Sequence, residues 1–127
     1  MSAATDVTGF GLAGHALEMA EGSDVTLVID LRALPLLPGV EGLIGYRTRA
    51  SKTNREYADP HTHFDGTPDP LRLEFFYDAQ TSGGLLISVP AAKADELVRR
   101  LTEARTPSAA VIGELVAPRD KRLWVKG

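Results

Sequence analysis

Cysteine is absent from the 127 residues of this chain. That excludes disulfides, thiolate metal sites and a cysteine nucleophile from the chemistry these residues can perform themselves. An excess of basic charge is also missing, since the formal net charge is −3 at pH 7. A nucleic acid therefore has no electrostatic attraction that would make it the main partner. No apolar run is long enough to cross a bilayer. The opening Met-Ser-Ala-Ala-Thr-Asp has neither a basic n-region nor an apolar h-region, so it does not read as a secretory leader. A soluble, cytoplasmic domain is the expectation, with neither membrane nor nucleic acid as partner. What is present is a hydrophobic fraction of 43%, too high for a disordered chain and sufficient at this length for one domain with its own core.

The apolar residues fall into short, distinct patterns. Over residues 9–20, Leu12, His15, Ala16, Met19 and Ala20 recur at steps of three and four, the spacing of a helix face. Asp6 or Thr8 is expected to cap that helix, and Gly22 to end it. Residues 25–31, Val-Thr-Leu-Val-Ile-Asp-Leu, are β-branched and nearly all apolar, which predicts a strand covered on both faces. Leu34-Pro35-Leu36-Leu37-Pro38-Gly39 reads as a turn into a short helix at 40–44. Residues 46–70 show no period and read as a long loop, either functional or mobile. Residues 70–77 predict a short helix, although their aromatics also suit a strand. Residues 84–89 predict a second buried strand. Pro90 then starts an amphipathic helix over 91–104 with Ala94, Leu97, Val98 and Leu101 on one face. Residues 109–116 and 122–125 predict two closing strands that pair. This mixture predicts one α+β domain over residues 1–127, built on a mixed sheet. Leu27, Ile29, Leu86, Ile87, Val89, Leu97, Leu101, Val111 and Ile112 are its expected core. Residues 1–8 have no large apolar anchors apart from Met1 and Val7, and are expected to be mobile or repositioned, leaving the Asp6 site poorly formed.

Chemistry concentrates in two places. Thr5-Asp6-Val7-Thr8-Gly9-Phe10-Gly11-Leu12-Ala13-Gly14-His15 sets a carboxylate, two hydroxyls and three glycines ahead of a helical pattern. That set suits a magnesium-phosphate site, because Mg2+ takes carboxylate oxygens alongside phosphates, and glycine lets backbone N–H groups reach an anion at a helix N-terminus. The alternative is a glycine-rich helix start whose small residues allow close packing. The segment also matches G-x-G-x-x-G, with Asp30 where a ribose-binding acid would lie. A dinucleotide site, however, needs a buried strand directly before the glycines, and the residues there are small and polar. The second place is Asp78-Ala79-Gln80-Thr81-Ser82-Gly83-Gly84, a turn dense in hydrogen-bonding side chains. Ser82 lies outside a nucleophile-elbow pattern and has no evident base.

Three further features have plain structural readings. His61 and His63, flanked by Asp59 and Asp65, resemble a metal cluster but read as a solvated loop. His15 reads as a packed helical histidine rather than a base. Arg47, Arg49, Lys52 and Arg55 read as a solvated loop or as a polyphosphate clamp. No residue of the chain is assigned a catalytic role.

Taken in order, the two motifs resemble those of a known family. Ala4-Thr5-Asp6-Val7-Thr8-Gly9-Phe10-Gly11-Leu12-Ala13-Gly14-His15-Ala16-Leu17-Glu18-Met19 is similar to the segment opening the C-terminal domain of the selenophosphate synthetases (selenide, water dikinases). Asp78-Ala79-Gln80-Thr81-Ser82-Gly83-Gly84-Leu85-Leu86-Ile87 is similar to that family's second signature. Leu34-Pro35-Leu36-Leu37-Pro38-Gly39, Asn54 and Ala110-Val111-Ile112-Gly113-Glu114 also fall where the family has them. The wider aminoimidazole ribonucleotide synthetase superfamily has a looser D-x-T-G-G-G form, and Phe10 favours the selenophosphate branch.

The resemblance implies a mixed sheet covered by helices and a reaction of ATP, selenide and water that gives selenophosphate, AMP and orthophosphate with Mg2+. It implies Asp6 as a magnesium ligand bridging to ATP, with Thr5, Thr8 and Gly9 shaping its loop. It further implies a two-domain, homodimeric parent whose N-terminal domain brings the catalytic Cys or selenocysteine, a lysine and further metal-binding aspartates. The isolated chain is then expected to be inactive. Two departures stand out: Ala79 replaces the usual proline, and Arg49-Ala50-Ser51-Lys52-Thr53-Asn54 departs from G-G-T-x-x-N. The competing expectations are a non-catalytic interaction module that keeps the fold, or the C-terminal domain of another ATP-binding member of the superfamily.

Overall fold

The computed structural model describes residues 3–7, 10–35, 49–78, 84–105 and 109–126. Along the chain these form β1 (Ala3–Asp6), α1 (Gly11–Gly22), β2 (Thr26–Asp30), a 3-10 turn (Leu31–Ala33), α2 (Arg49–Ala58), a 3-10 turn (Asp59–His61), β3 (Thr62–Asp65), α3 (Pro70–Tyr77), β4 (Leu85–Ser88), α4 (Ala91–Glu103), β5 (Gly113–Val116) and β6 (Leu123–Lys126). The expected helix at 40–44 lies outside the described residues. Among the described residues no helix is long and apolar enough to cross a membrane.

The strands make two sheets. β1 and β4 pair antiparallel, while the larger sheet runs β3-β6-β2-β5, with β6 parallel to both neighbours and β5 antiparallel to β2. The α+β class and the mixed sheet therefore agree with the sequence reading. β2 is buried over Thr26 to Ile29 because it sits between two neighbours and its apolar side chains point both ways. The last two strands do not pair with each other, contrary to expectation, but flank β2 on opposite sides. The cause lies in Thr26. Its hydroxyl accepts the Arg119 N–H (2.8 Å) and donates to the Lys121 carbonyl (3.0 Å), and the Leu27 N–H donates to the Arg122 carbonyl (2.9 Å). The connection is thereby held across the end of β2, and the chain re-enters the sheet on the far side.

Leu27, Ile29, Leu123 and Val125 share one face of the large sheet, all buried. α1 packs on β2 and β6 through Ala13, Ala16, Leu17 and Ala20, and α2 and α3 pack on α1. Small residues around the helix let its neighbours approach closely. Phe76 and Tyr77 of α3 and Leu31 complete the core. Arg72 ties α3 to the segment after β2 by donating to the carbonyls of Leu31 and Leu34, both at 3.0 Å.

Four expectations need correction. Residues 46–70 are not one loop, since they hold α2 and β3. α2 escaped notice because the buried positions among its described side chains are Asn54 and Ala58, an amide and a methyl, so no apolar period shows. β4 is not buried throughout: among the described residues it pairs with β1 alone, and Leu85 is 64% exposed. Ile87, Val89, Leu97, Leu101 and Ile112 are only partly covered and Val111 is exposed, so the core lies at α1, α3, β2 and β6 instead. Finally, Ala3–Asp6 is not a loose end but a paired strand, and Val7 after it is buried.

Candidate functional site

The pairing of β1 with β4 brings the two motifs side by side. Asp6, the last residue of β1, lies opposite Leu85, and the Val7 N–H donates to the Gly84 carbonyl at 2.9 Å. The middle of the first motif is thus joined to the end of the second. A second junction closes the other side. Gly11 opens α1 with φ +70°, and a Cβ added there would lie 2.8 Å from the carbonyl oxygens of both Tyr77 and Asp78. Only glycine accepts both the dihedral and the approach. The two segments between these junctions, 8–9 and 79–83, lie outside the described residues.

Asp6 is exposed and Thr5 half-buried, with its hydroxyl over the Asp6 carbonyl at 3.4 Å. Thr8 and Gly9 lie outside the described residues. Phe10, 57% exposed, takes the N-cap position of α1 and offers no side-chain cap. The expectation that Asp6 caps this helix is therefore wrong. Asp6 belongs to a strand, which leaves its carboxylate available. An exposed carboxylate fits an ion such as Mg2+, which keeps water and phosphate among its ligands. Among the described residues no group of three or more His, Asp or Glu side chains gathers. A cation at Asp6 would complete its shell from phosphate, water or residues beyond these.

Sequence reasoning missed what supports the second motif. Tyr77, the last residue of α3, is gripped at three points. The Asn54 side-chain amide donates to its carbonyl (2.9 Å), the Arg55 guanidinium lies 4.8 Å from its ring centroid, and its hydroxyl donates to the Asp59 carboxylate. Burial, reinforced by that bond to Asp59, pushes the Tyr77 hydroxyl far above its ordinary pKa, so it stays a donor. Arg55 also pairs with Glu74 at 3.0 Å. The signal available in the sequence was Asn54 inside an otherwise polar segment.

Asp78 follows Tyr77. Burial first, and the Glu74 charge second, raise its carboxyl above the usual carboxylate range. A raised folded-state value means that the native protein holds the proton more tightly than the unfolded chain. Between the unfolded and folded values, stability falls as pH rises. Asp78→Asn is expected to remove that acid-side slope and to favour the folded state at pH 7. Urea melts of both proteins from pH 3 to 7 check this, and parallel curves would contradict it.

The other candidates resolve structurally. His15 is buried in α1, with Nδ1 3.6 Å from Glu18 Oε2 and its ring 5.5 Å from Phe10. Asp30 accepts the Arg32 N–H at 3.0 Å and pairs with its guanidinium, and the Arg32 side-chain bond holds the carboxyl below its ordinary value. A strand precedes G-x-G-x-x-G because Ala3–Asp6 finds β4 as a partner, but with Ala4 and Asp6 exposed it is not the buried strand a dinucleotide site needs. β1 and β2 also lie in different sheets, whereas a dinucleotide fold sets them parallel in one. His63 stacks on Trp124 at 3.8 Å, and Asp59 is taken by Tyr77. Lys52 is exposed and Arg55 is engaged by Glu74 and Tyr77, while Arg47 and the side chain of Arg49 lie outside the described residues. Ser82 also falls outside the described residues.

A family model described as AIR synthase related protein, C-terminal domain, matches residues 1–126. Selenide, water dikinase of Nitratidesulfovibrio vulgaris strain Miyazaki F is 43% identical over 120 residues, covering 93% of this chain and 34% of that protein. Selenide, water dikinase of Desulfitobacterium hafniense strain Y51 is 46% identical over 117 residues, 91% of this chain and 34% of the other. Selenide, water dikinase 2 of Peptoclostridium acidaminophilum is 34% identical over 127 residues, 98% of this chain and 36% of the other. The chain spans about a third of the length of these curated relatives. With the match running over almost its whole length and both motifs meeting in one place, the chain belongs to the AIR synthase related protein C-terminal domain family.

Proposed function

We propose that this chain is the C-terminal domain of a cytoplasmic, homodimeric selenophosphate synthetase and supplies part of its Mg-ATP site. The parent would phosphorylate selenide at the expense of ATP. The observation that carries this reading is the double junction of the motifs, Val7 to Gly84 and Gly11 to Tyr77–Asp78. It brings the Asp6 end of β1 and the N-terminus of α1 against the two ends of the second motif, Gly84 and Tyr77–Asp78. Asp6 is the residue that would hold magnesium, and Thr5, Thr8 and Gly9 would shape its loop. Bound Mg2+ supplies charge neutralisation on the phosphates. The chain itself contributes orientation: a fixed carboxylate, backbone N–H groups and the positive end of the α1 dipole. Phosphoryl transfer depends on positioning and electrostatics, so such a site can be divided between domains. The nucleophile and further metal ligands would come from an N-terminal domain.

The test is an activity split. The chain alone is expected to form no AMP from ATP and selenide, and to bind Mg-ATP weakly. A chimaera in which it replaces the matching third of the Desulfitobacterium hafniense protein is expected to form AMP in a selenide-dependent way. A folded, inactive chimaera would favour a non-catalytic interaction module, and turnover by the chain alone would contradict the division of the site.

A further inference from the structure

The geometry points to Asn54 as a positioning residue of the Mg-ATP site, and this rests on the reading above. Asn54 is 5% exposed on a helix otherwise rich in solvated side chains, and its amide donates to the Tyr77 carbonyl at 2.9 Å. A carbonyl at a helix C-terminus has no partner within its own helix and is met by water or a cap. Here the partner is a buried side chain from a different helix, and the carbonyl it fixes is one of the two against which Gly11 packs. Asn54 therefore acts on both motifs at once. It sets where the second begins, at Asp78, and it sets the surface on which the first turns into α1. The far end of the second motif returns to the first through Gly84 and Val7. A shift at Tyr77 would therefore be transmitted to the backbone beside Asp6. Arg55 on the Tyr77 ring and Asp59 on its hydroxyl hold the side chain, whereas Asn54 holds the carbonyl.

Two variants test this on the chain itself. Asn54→Ala removes the donor. Asn54→Asp keeps the volume and presents an acceptor to the carbonyl, so the test stands even where Asn54→Ala fails to fold. Exchange of the Val7 amide is expected to speed up about tenfold, the scale of one lost hydrogen bond. The amides of Leu27 and Asp30, bonded to the carbonyls of Arg122 and Ile112 in the large sheet, are expected to keep their rates. The Mg-ATP dissociation constant, read from amide shifts at Val7 and Gly84, is expected to rise about fivefold or more. Equal acceleration at all three amides, or an unchanged Val7 rate, would overturn the assignment and leave Asn54 a packing residue. Unchanged Mg-ATP affinity in the variants would overturn it too. A wild-type chain whose Val7 and Gly84 amides ignore Mg-ATP would overturn the nucleotide reading itself, and Asn54's place in that site with it.

Discussion

Gly11→Ala is expected to destabilise the fold by about 2–5 kcal/mol, combining the cost of a left-handed residue with that of overpacking. The added methyl would stand 2.8 Å from two carbonyl oxygens, and these belong to backbone at the end of α3 rather than to a side chain that could swing away. Relief requires α1 to withdraw from α3, which strains the Val7–Gly84 junction on the other side of the motifs. Gly22→Ala is the matched control. Nothing lies within 4 Å of its added methyl, and its φ is not positive. That change is expected to be neutral or stabilising by less than about 1 kcal/mol. Urea unfolding of the two variants measures the difference, and equal midpoints would show that the Gly11 approach is not a constraint.

The second large effect concerns chemistry rather than stability. In the active chimaera, Asp6→Asn is expected to lower selenide-dependent AMP formation about a hundredfold or more, the range seen when a group that stabilises developing charge is removed. Asp6 is exposed at the end of a strand, and among the described residues its side chain has no hydrogen-bond or ion-pair partner, so the melting temperature should hardly move. The change keeps shape and removes a negative charge, so added Mg2+ should recover part of the rate. A variant with near-normal turnover at limiting Mg2+ would show that Asp6 is only a surface residue of β1.

The legible parts of this chain were those where chemistry and period coincide. β2 announced itself because a central strand needs apolar side chains on both faces, and α1 and α4 because their spacings are helical. The two motifs were readable as residue types suited to magnesium and phosphate. What could not be read was how they meet. β1 carries no apolar pattern, since Ala3, Ala4, Thr5 and Asp6 form a strand only through β4, more than seventy-five residues later. α2 was hidden for a related reason: Asn54 is buried as a polar group that hydrogen-bonds the Tyr77 carbonyl, which periodicity cannot register. The expected core leaned on β4, α4 and the residues just before β5, where Ile87, Leu97, Leu101 and Ile112 are only partly covered and Val111 is exposed. The true core uses Phe76 and Tyr77, in a segment that read as a helix although its aromatic run also suited a strand.

The central claim is that Asp6 holds the metal of a nucleotide site at the meeting of the two motifs. Paramagnetic broadening by Mn-ATP tests it most directly, because Mn2+ replaces Mg2+ and erases the signals of nearby amides. In the chain labelled with nitrogen-15, the amides of Thr5, Asp6, Val7, Gly84 and Leu85 should broaden first, and Asp6→Asn should abolish the effect. Broadening that survives Asp6→Asn, or that centres on Asp59 and Asp65 around β3, would contradict it.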